Sequence, residues 1–143
     1  TKANSDTDGR IINSMVDDYT AKHINTIAFA SMGQLNYLSA LQFVDAVVGN
    51  SSSGLLETPS FKIGTIDIGD RQKGRIKADS VISCLPDKKN IDNALKKIYS
   101  RHFQEIVKNV KNPYGKGGAS KIILDIIKDF NLDNIIKKTF YDL

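Results

Sequence analysis

The stretch DAVVGNSSSGLLETPSFKIGTIDIG, residues 45–69, sets two short apolar runs around a polar, serine-rich segment. The first run, 45–49, ends in Gly49, and the second, 64–69, is rich in β-branched residues and ends in Gly69. Short apolar runs bounded by turn residues are typical of buried strands, and the residues between them predict a short helix at 51–60. Strand, helix and strand in this order predict a parallel pair.

The same alternation extends to both sides of this stretch. Apolar spacing predicts a helix at 8–22, a strand at 25–30, a short helix running into the strand at 45–49, and a further strand at 80–85. Helices are expected at 90–109, 118–130 and 132–139, and Pro59 implies that the helix at 51–60 is short or kinked. The sequence therefore predicts one α/β domain over residues 1–143, a parallel sheet flanked by helices.

Composition narrows the class of protein. The chain has 143 residues, of which 41% are apolar, enough for the core of a single domain. Its only cysteine, Cys84, excludes a disulfide framework and an all-cysteine zinc site. The opening TKANSDTDGR lacks the apolar segment of a signal peptide and no run is long enough to span a bilayer, so we expect a cytoplasmic protein without a membrane partner.

The formal net charge of +4 permits an anionic partner. The basic residues are dispersed along the chain and do not form a stripe with stacking aromatics, so we expect no nucleic-acid partner. The two histidines, His23 and His102, lack the spacing of metal ligands, and we expect neither a metal site nor a Ser-His-Asp set. Cys84 lies in an apolar run and is predicted to be a core residue.

The serine triplet Ser51–Ser53 follows the first strand at the expected start of a helix. Unpaired backbone N–H groups at a helix N-terminus bind anions, and serine hydroxyls add donors. The segment has neither the lysine and spacing of a Walker loop nor a Rossmann dinucleotide fingerprint. From spacing alone, an anion site and an ordinary serine helix cap remain equal alternatives.

Two charged features accompany the serines. Glu57 can accept two hydrogen bonds from a vicinal diol such as that of ribose, or can complement the dipole of the helix start. Arg71 and Arg75, in GDRQKGR after the next strand, suit phosphate contacts, or form an exposed basic turn. Neighbouring parallel strands would bring the serines and arginines together at the ligand-binding edge of the sheet.

Four stretches of the chain carry a resemblance to a known family: TKANSDTDGR, SMGQLNYLSAL, VVGNSSSGLLETPSFKIGTIDIGDRQKGR and NPYGKGGASKI. In this order they resemble the C-terminal half of the hydrolysing UDP-N-acetylglucosamine 2-epimerases. The resemblance is to the bacterial branch that makes N-acetylmannosamine for sialic acid. It implies the C-terminal, Rossmann-like domain of a two-domain enzyme of GT-B type. An N-terminal catalytic half would then lie outside this chain, and the full-length enzyme would be a homo-oligomer.

Site residues follow from this resemblance. Ser51 and Ser52 would bind the diphosphate of a UDP-sugar, Glu57 would hold the ribose hydroxyls, and Arg71 would contribute to the nucleotide site. Asn4 would line the cleft near the sugar diphosphate. The backbone of Ala30 would meet the uracil.

The reaction that the resemblance implies eliminates UDP from UDP-N-acetylglucosamine and then adds water to the 2-acetamidoglucal with inversion at C2. It needs no cofactor and no metal. The acid and base groups of the family have no match in this chain, so we expect no catalytic residue here and an inactive fragment.

Three alternatives remain open at this point. The substrate could be UDP-N,N'-diacetylbacillosamine, because the missing half would read the acyl groups. The chain could be a non-catalytic nucleotide-sugar-binding module. It could also be the donor domain of a glycosyltransferase, although GDRQKGR favours the epimerases.

Overall fold

The computed structural model describes residues 7–133, and these fall into two compact units that meet between Pro113 and Tyr114 in the sequence. The described part of the first unit contains eight helices and strands: α1 (Thr7–Lys22), α2 (Gly33–Ala40), β1 (Ala46–Gly49), α3 (Ser53–Leu56), β2 (Gly64–Ile68), β3 (Val81–Cys84), α4 (Lys88–Ile98) and α5 (Arg101–Asn109). In the second unit the described helix is α6 (Ala119–Asp129). Within residues 7–133, no helix has the length and apolar character needed to cross a bilayer.

The three strands form a parallel sheet in the order β1-β2-β3. In its register Gly49 of β1 lies beside Asp67 of β2, and Asp67 lies beside Ser83 of β3. The predicted α/β class with a parallel sheet is therefore confirmed. This pairing brings the carboxyl ends of β1 and β2 together, and the segments that follow them begin side by side.

Helices α4 and α5 cover one face of the sheet. Ile66 and Ile82, which are register partners, pack with four buried residues of these helices: Ala94, Ile98, Phe103 and Val107. Cys84 packs against the same cluster. Burial raises the pKa of its thiol, and the nearby carboxylates Asp87 and Asp67 raise it further. A thiol that stays protonated is a poor nucleophile, in agreement with a packing role for Cys84.

Helix α3 packs on β2. The Thr58 hydroxyl donates to the carbonyl of Gly54 at 2.6 Å and pairs with the Thr65 hydroxyl at 2.8 Å. Because the single proton of Thr58 goes to Gly54, Thr65 is the donor in the second bond. Thr58 and Thr65 are 0% and 2% exposed, so this pair ties α3 to the central strand away from water.

The predicted strand at 25–30 is wrong. The chain turns after α1, with the amide and hydroxyl of Thr26 donating to the carbonyl of His23 at 3.0 and 2.6 Å. Residues 26–30 then run without regular structure, and Ile27 is 76% exposed. A strand needs a neighbour to take up its hydrogen bonds, and in the described sheet β1 pairs with β2 alone.

Two helix predictions need adjustment. The segment 51–60 forms the one-turn helix α3 and a 3-10 turn at Thr58–Phe61, with Pro59 at the start of that turn, as the proline predicted. The segment 90–109 is divided at Ser100, whose hydroxyl accepts from the amide of Phe103 and starts α5. Helices 8–22 and 118–130 are confirmed by α1 and α6, whereas 132–139 lies outside the described residues apart from its first two positions.

Asp87 caps α4, and this cap gives a test of stability against pH. Its carboxylate accepts from the amide and the side chain of Asn90 at 2.9 and 2.6 Å, which lowers the pKa of Asp87. A lowered pKa means that the stabilisation is complete above the unfolded pKa of about 3.9 and is lost as pH falls through the folded pKa. We expect Asp87→Ala to be less stable than the wild type at pH 7, with the difference shrinking below about pH 4.

Urea midpoints followed by circular dichroism over this pH range would measure the difference. Ser100→Ala is the matched control, because it removes a cap that does not ionise in this range. Its cost should stay constant with pH. A constant cost for Asp87→Ala as well would contradict the assignment.

Candidate functional site

The site candidate lies where β1 and β2 end. We call residues 49–54 (GNSSSG) the serine loop and residues 69–75 (GDRQKGR) the arginine turn. The side-chain amide of Gln72 donates to the backbone carbonyl of Asn50 at 2.7 Å, and Arg71 Nη1 donates to Asn50 Oδ1 at 3.4 Å. The serine loop and the arginine turn therefore lie side by side, and Asn50 is the residue through which they meet.

The serine hydroxyls only partly serve as a helix cap. Ser52 occupies the N-cap position of α3, but its side chain makes no cap hydrogen bond within the described residues. Ser51 Oγ accepts from the amide of Ser53 at 3.4 Å, a long contact. Because α3 has a single turn, its dipole is weak and donors from side chains must supply much of any anion affinity.

Polar side chains from distant segments hold the serine loop and α3 in place. The hydroxyl of Ser53 donates to the hydroxyl of Tyr37 on α2. The side-chain amide of Asn112 donates to the carbonyl of Leu56 at 2.8 Å. Together with the bond from Thr58 to the carbonyl of Gly54, these contacts hold the loop and α3 at three points.

Glu57 follows the last residue of α3. It lies at the C-terminal end of α3, where the partial charge is negative, and also at the N-cap of the 3-10 turn Thr58–Phe61, where its side chain makes no cap hydrogen bond within the described residues. Its Oε2 is buried and has no hydrogen-bond partner among the described residues. Since a buried polar atom normally has a partner, this oxygen is an acceptor whose donor is missing.

The arginine turn carries three cations and one carboxylate, a net charge of +2: Arg71, Lys73, Arg75 and Asp70. All four are exposed. The ion pairs found among the described residues involve neither arginine. The turn takes its shape from Gly69 and Gly74, with φ of +82° and +81°, values that favour glycine. Beside the uncharged serine loop, this arrangement attracts anions.

Two predicted site residues are not joined to this cluster. Asn4 lies outside the described residues. Ala30 is exposed in the irregular segment before α2, and the hydrogen bonds described for residues 7–133 do not link it to the serine loop. Arg71 contacts Asn50, the residue before Ser51 and Ser52, and Glu57 lies one helical turn beyond the serines.

The two histidines lie outside the serine loop and the arginine turn, and no described hydrogen bond joins them to either. His23 stacks on Tyr19 with 3.8 Å between the ring centroids, and its Nδ1 lies 2.7 Å from the Tyr19 carbonyl. His102 is exposed on α5. Across residues 7–133, His, Cys, Asp and Glu side chains form no cluster that could hold a metal ion.

Sequence reasoning missed three residues of the site, namely Asn50, Gln72 and Tyr37. Their contacts join positions 22 and 16 residues apart, and no local pattern reports such pairs. The available signal was Gln72 itself, an uncharged residue between two cations in an otherwise exposed turn.

Comparison with known proteins shows the family of the chain. The family model described as UDP-N-acetylglucosamine 2-epimerase matches residues 1–128. The chain belongs to this epimerase family. It is 41% identical, over its whole length, to the GDP/UDP-N,N'-diacetylbacillosamine 2-epimerase (hydrolyzing) of Campylobacter jejuni, and 38% identical over 99% of its length to the polysialic acid biosynthesis protein P7 of Escherichia coli.

The fold of this epimerase-family chain matches a solved structure. The crystal structure of a candidate UDP-N-acetylglucosamine 2-epimerase from Listeria monocytogenes aligns with 99% of the chain at a TM-score of 0.71 and 16% identity. The chain covers 38% of that structure, 37% of the Campylobacter protein and 36% of the Escherichia protein. It therefore spans little more than a third of these relatives.

Proposed function

We propose that this chain is the UDP-binding part of a hydrolysing UDP-N-acetylglucosamine 2-epimerase, which converts its substrate to N-acetylmannosamine and UDP. The observation that carries the proposal is the meeting of the serine loop and the arginine turn at Asn50, with Glu57, whose Oε2 has no partner among the described residues, at the end of the helix that follows the loop. Serine hydroxyls with a neighbouring arginine suit a diphosphate, and a carboxylate beyond them suits a ribose diol.

In this proposal the diphosphate lies against Ser51 and Ser52, and Glu57 accepts hydrogen bonds from the ribose hydroxyls. The exposed guanidinium of Arg71, which makes a long bond to Asn50, exchanges that contact for a phosphate oxygen. Ala30 meets the uracil through its backbone and Asn4 lines the cleft near the sugar.

The chemistry begins with loss of the C2 proton and cleavage of the bond between C1 and the diphosphate oxygen. This elimination leaves 2-acetamidoglucal and UDP, and water then adds across the double bond with inversion at C2. Arg71 and the serine loop stabilise the negative charge that develops on the departing diphosphate, which is the electrostatic part of catalysis. The groups that move protons belong to the other half of the enzyme, a cytoplasmic homo-oligomer.

A second substrate is favoured by one comparison. The Campylobacter relative at 41% identity is named for GDP/UDP-N,N'-diacetylbacillosamine, which shares the nucleotide diphosphate and differs in the sugar. The residues of this site address the shared part of both substrates. UDP-N,N'-diacetylbacillosamine is therefore the alternative substrate of the same reaction.

Product analysis on the intact protein separates the possibilities. Release of UDP and N-acetylmannosamine from UDP-N-acetylglucosamine supports the first substrate, and turnover of the diacetylated sugar alone supports the second. Binding of UDP without turnover of either sugar would replace the epimerase by a non-catalytic nucleotide-sugar-binding module. Transfer of the sugar to an acceptor would show that the protein is a glycosyltransferase and not an epimerase.

The nucleotide site is tested by Arg71→Ala and Glu57→Ala. Each variant should weaken UDP binding by about tenfold or more, because a hydrogen bond to a charged group is worth about 1.5–3 kcal/mol and 1.4 kcal/mol is a factor of ten. Arg71→Ala should weaken pyrophosphate equally, whereas Glu57→Ala should leave pyrophosphate unchanged. Titration calorimetry on the intact protein measures both ligands.

Arg101→Ala is the control, since it removes an exposed arginine at the start of α5. Its UDP affinity should equal that of the wild type. Unchanged UDP affinity in both site variants would remove the assignment.

A further inference from the structure

Gln72 differs from the other residues of the arginine turn in its burial. It is 3% exposed, whereas the cations on either side of it, Arg71 and Lys73, are exposed. Its Nε2 donates to the Asn50 carbonyl at 2.7 Å, across the boundary between the two segments. The turn that carries it is closed by its own backbone, with the amide of Lys73 on the carbonyl of Asp70 at 2.8 Å.

The rest of the Gln72 amide is unsatisfied. Its Oε1 is buried and has no hydrogen-bond partner among the described residues. The desolvation of one unpaired acceptor offsets what one good hydrogen bond contributes, so Gln72 adds little to the stability of the fold. Its effect lies instead in where it holds Asn50, the residue that precedes Ser51 and Ser52 and also contacts Arg71.

We propose that Gln72 is a positioning residue for the diphosphate: its bond to Asn50 sets the serine loop and the Arg71 guanidinium at the spacing that one diphosphate bridges. The inference rests on the proposed UDP site and adds a residue to it. Without this bond the two segments are still joined to the ends of paired strands, but Asn50 keeps only the long 3.4 Å contact with Arg71 among its described hydrogen bonds to the turn. The donors that meet phosphate then have to be ordered by the ligand, at the expense of affinity.

The test is Gln72→Met, which keeps the unbranched shape and removes the donor. It should weaken UDP and inorganic pyrophosphate by about tenfold and leave uridine unchanged, because uridine lacks the groups that the spacing serves. Calorimetry on the intact protein gives the first two affinities and saturation-transfer NMR gives the third. Equal losses for uridine and UDP, or no loss for UDP, would overturn the proposal.

A matched control exists elsewhere in the chain. Gln104 Nε2 donates to the carbonyl of Ile98 at 2.6 Å, the same chemistry away from the two loops. Gln104→Met should bind UDP as the wild type does, and a loss equal to that of Gln72→Met would overturn the proposal. Gln72→Glu is a second variant of the site. It should lose UDP affinity near neutral pH and regain it, relative to wild type, as protonation restores an O–H donor.

Amide hydrogen exchange separates this inference from the proposed function. Loss of the hydrogen bond between Gln72 and Asn50 should speed amide exchange in residues 51–57 of ligand-free Gln72→Met. In this segment the amides of Gly54 and Leu55 bond to the carbonyls of Ser51 and Ser52. If the wild type bound neither UDP nor pyrophosphate, the proposed function would fail and the positioning role with it, even where exchange was faster. Unchanged exchange would overturn the positioning role of Gln72, whatever the ligand affinities are.

Discussion

A Lys77→Met variant is expected to lose about 3 kcal/mol of unfolding free energy, the low end of the range for breaking a buried ion pair from one side. Lys77 Nζ lies 2.7 Å from Asp67 Oδ2, and the two side chains are 26% and 1% exposed. Removing the lysine leaves a buried carboxylate whose other oxygen, Oδ1, already lacks a partner among the described residues. The partial exposure of Lys77 places the expected cost at the low end.

The chain provides a control ion pair with the same N–O distance and a different burial. Lys108 Nζ lies 2.7 Å from Glu105 Oε1, with side chains 66% and 56% exposed. Lys108→Met should cost less than about 0.5 kcal/mol, because water screens an exposed pair. Urea unfolding of the two variants measures both, and equal costs would show that burial of Asp67 does not govern this pair.

A double variant separates charge from packing. Asp67→Asn combined with Lys77→Met removes both charges and should recover part of the loss seen in Lys77→Met alone. Lys77 also donates to Ser83 Oγ at 2.6 Å, so recovery should be incomplete. Because Lys77 follows the arginine turn, the same pair anchors that turn to the sheet at its far end.

The strands and helices that the sequence predicted correctly carry their signal locally. The runs that became β1, β2 and β3 are short, apolar and bounded by glycine or proline, and such runs report burial without reference to distant residues. The run at 25–30 has the same composition and is not a strand. Composition reports that a segment can pair, and whether a neighbouring strand exists depends on the rest of the fold.

Some features of the candidate site could likewise be predicted from local sequence, and others could not. Parallel topology alone placed the serine loop beside the arginine turn, because consecutive parallel strands end at one edge. It could not reveal that Gln72 is buried between cations or that Tyr37 reaches Ser53, since both contacts are made by single polar side chains over long sequence separations. Glu57 was predicted within the first turns of a helix, but α3 proved to be one turn long, which places this residue between the end of α3 and the following 3-10 turn.

Gly54→Ala is the second variant with a large expected effect, and two physical terms oppose each other in it. Alanine is the better helix former by about 1 kcal/mol, so helix propensity predicts a gain in stability. A Cβ at position 54, however, would lie 2.6 Å from Thr65 Cγ2, closer than real carbon contacts allow. Overpacking of this kind costs about 1–3 kcal/mol, so we expect a net loss.

Thr65 cannot relieve this clash by rotating. It is β-branched, 2% exposed, and its hydroxyl is bonded to Thr58 at 2.8 Å, so turning the methyl away breaks a buried hydrogen bond. The clash is relieved instead by moving α3 away from β2, which displaces Leu56 from Asn112 and Ser53 from Tyr37. Gly54→Ala should therefore lower UDP affinity together with stability.

Thr65→Ser tests this argument because it removes only the methyl group that clashes and keeps the hydroxyl. Alone it should cost about 1 kcal/mol, the value of one buried methyl group. Combined with Gly54→Ala it should raise the stability above that of Gly54→Ala alone, since the Thr65 hydroxyl lies at an ordinary 3.5 Å from the new Cβ. Urea unfolding of the four proteins in this cycle gives the coupling energy, and strict additivity of the two costs would contradict the steric origin of the effect.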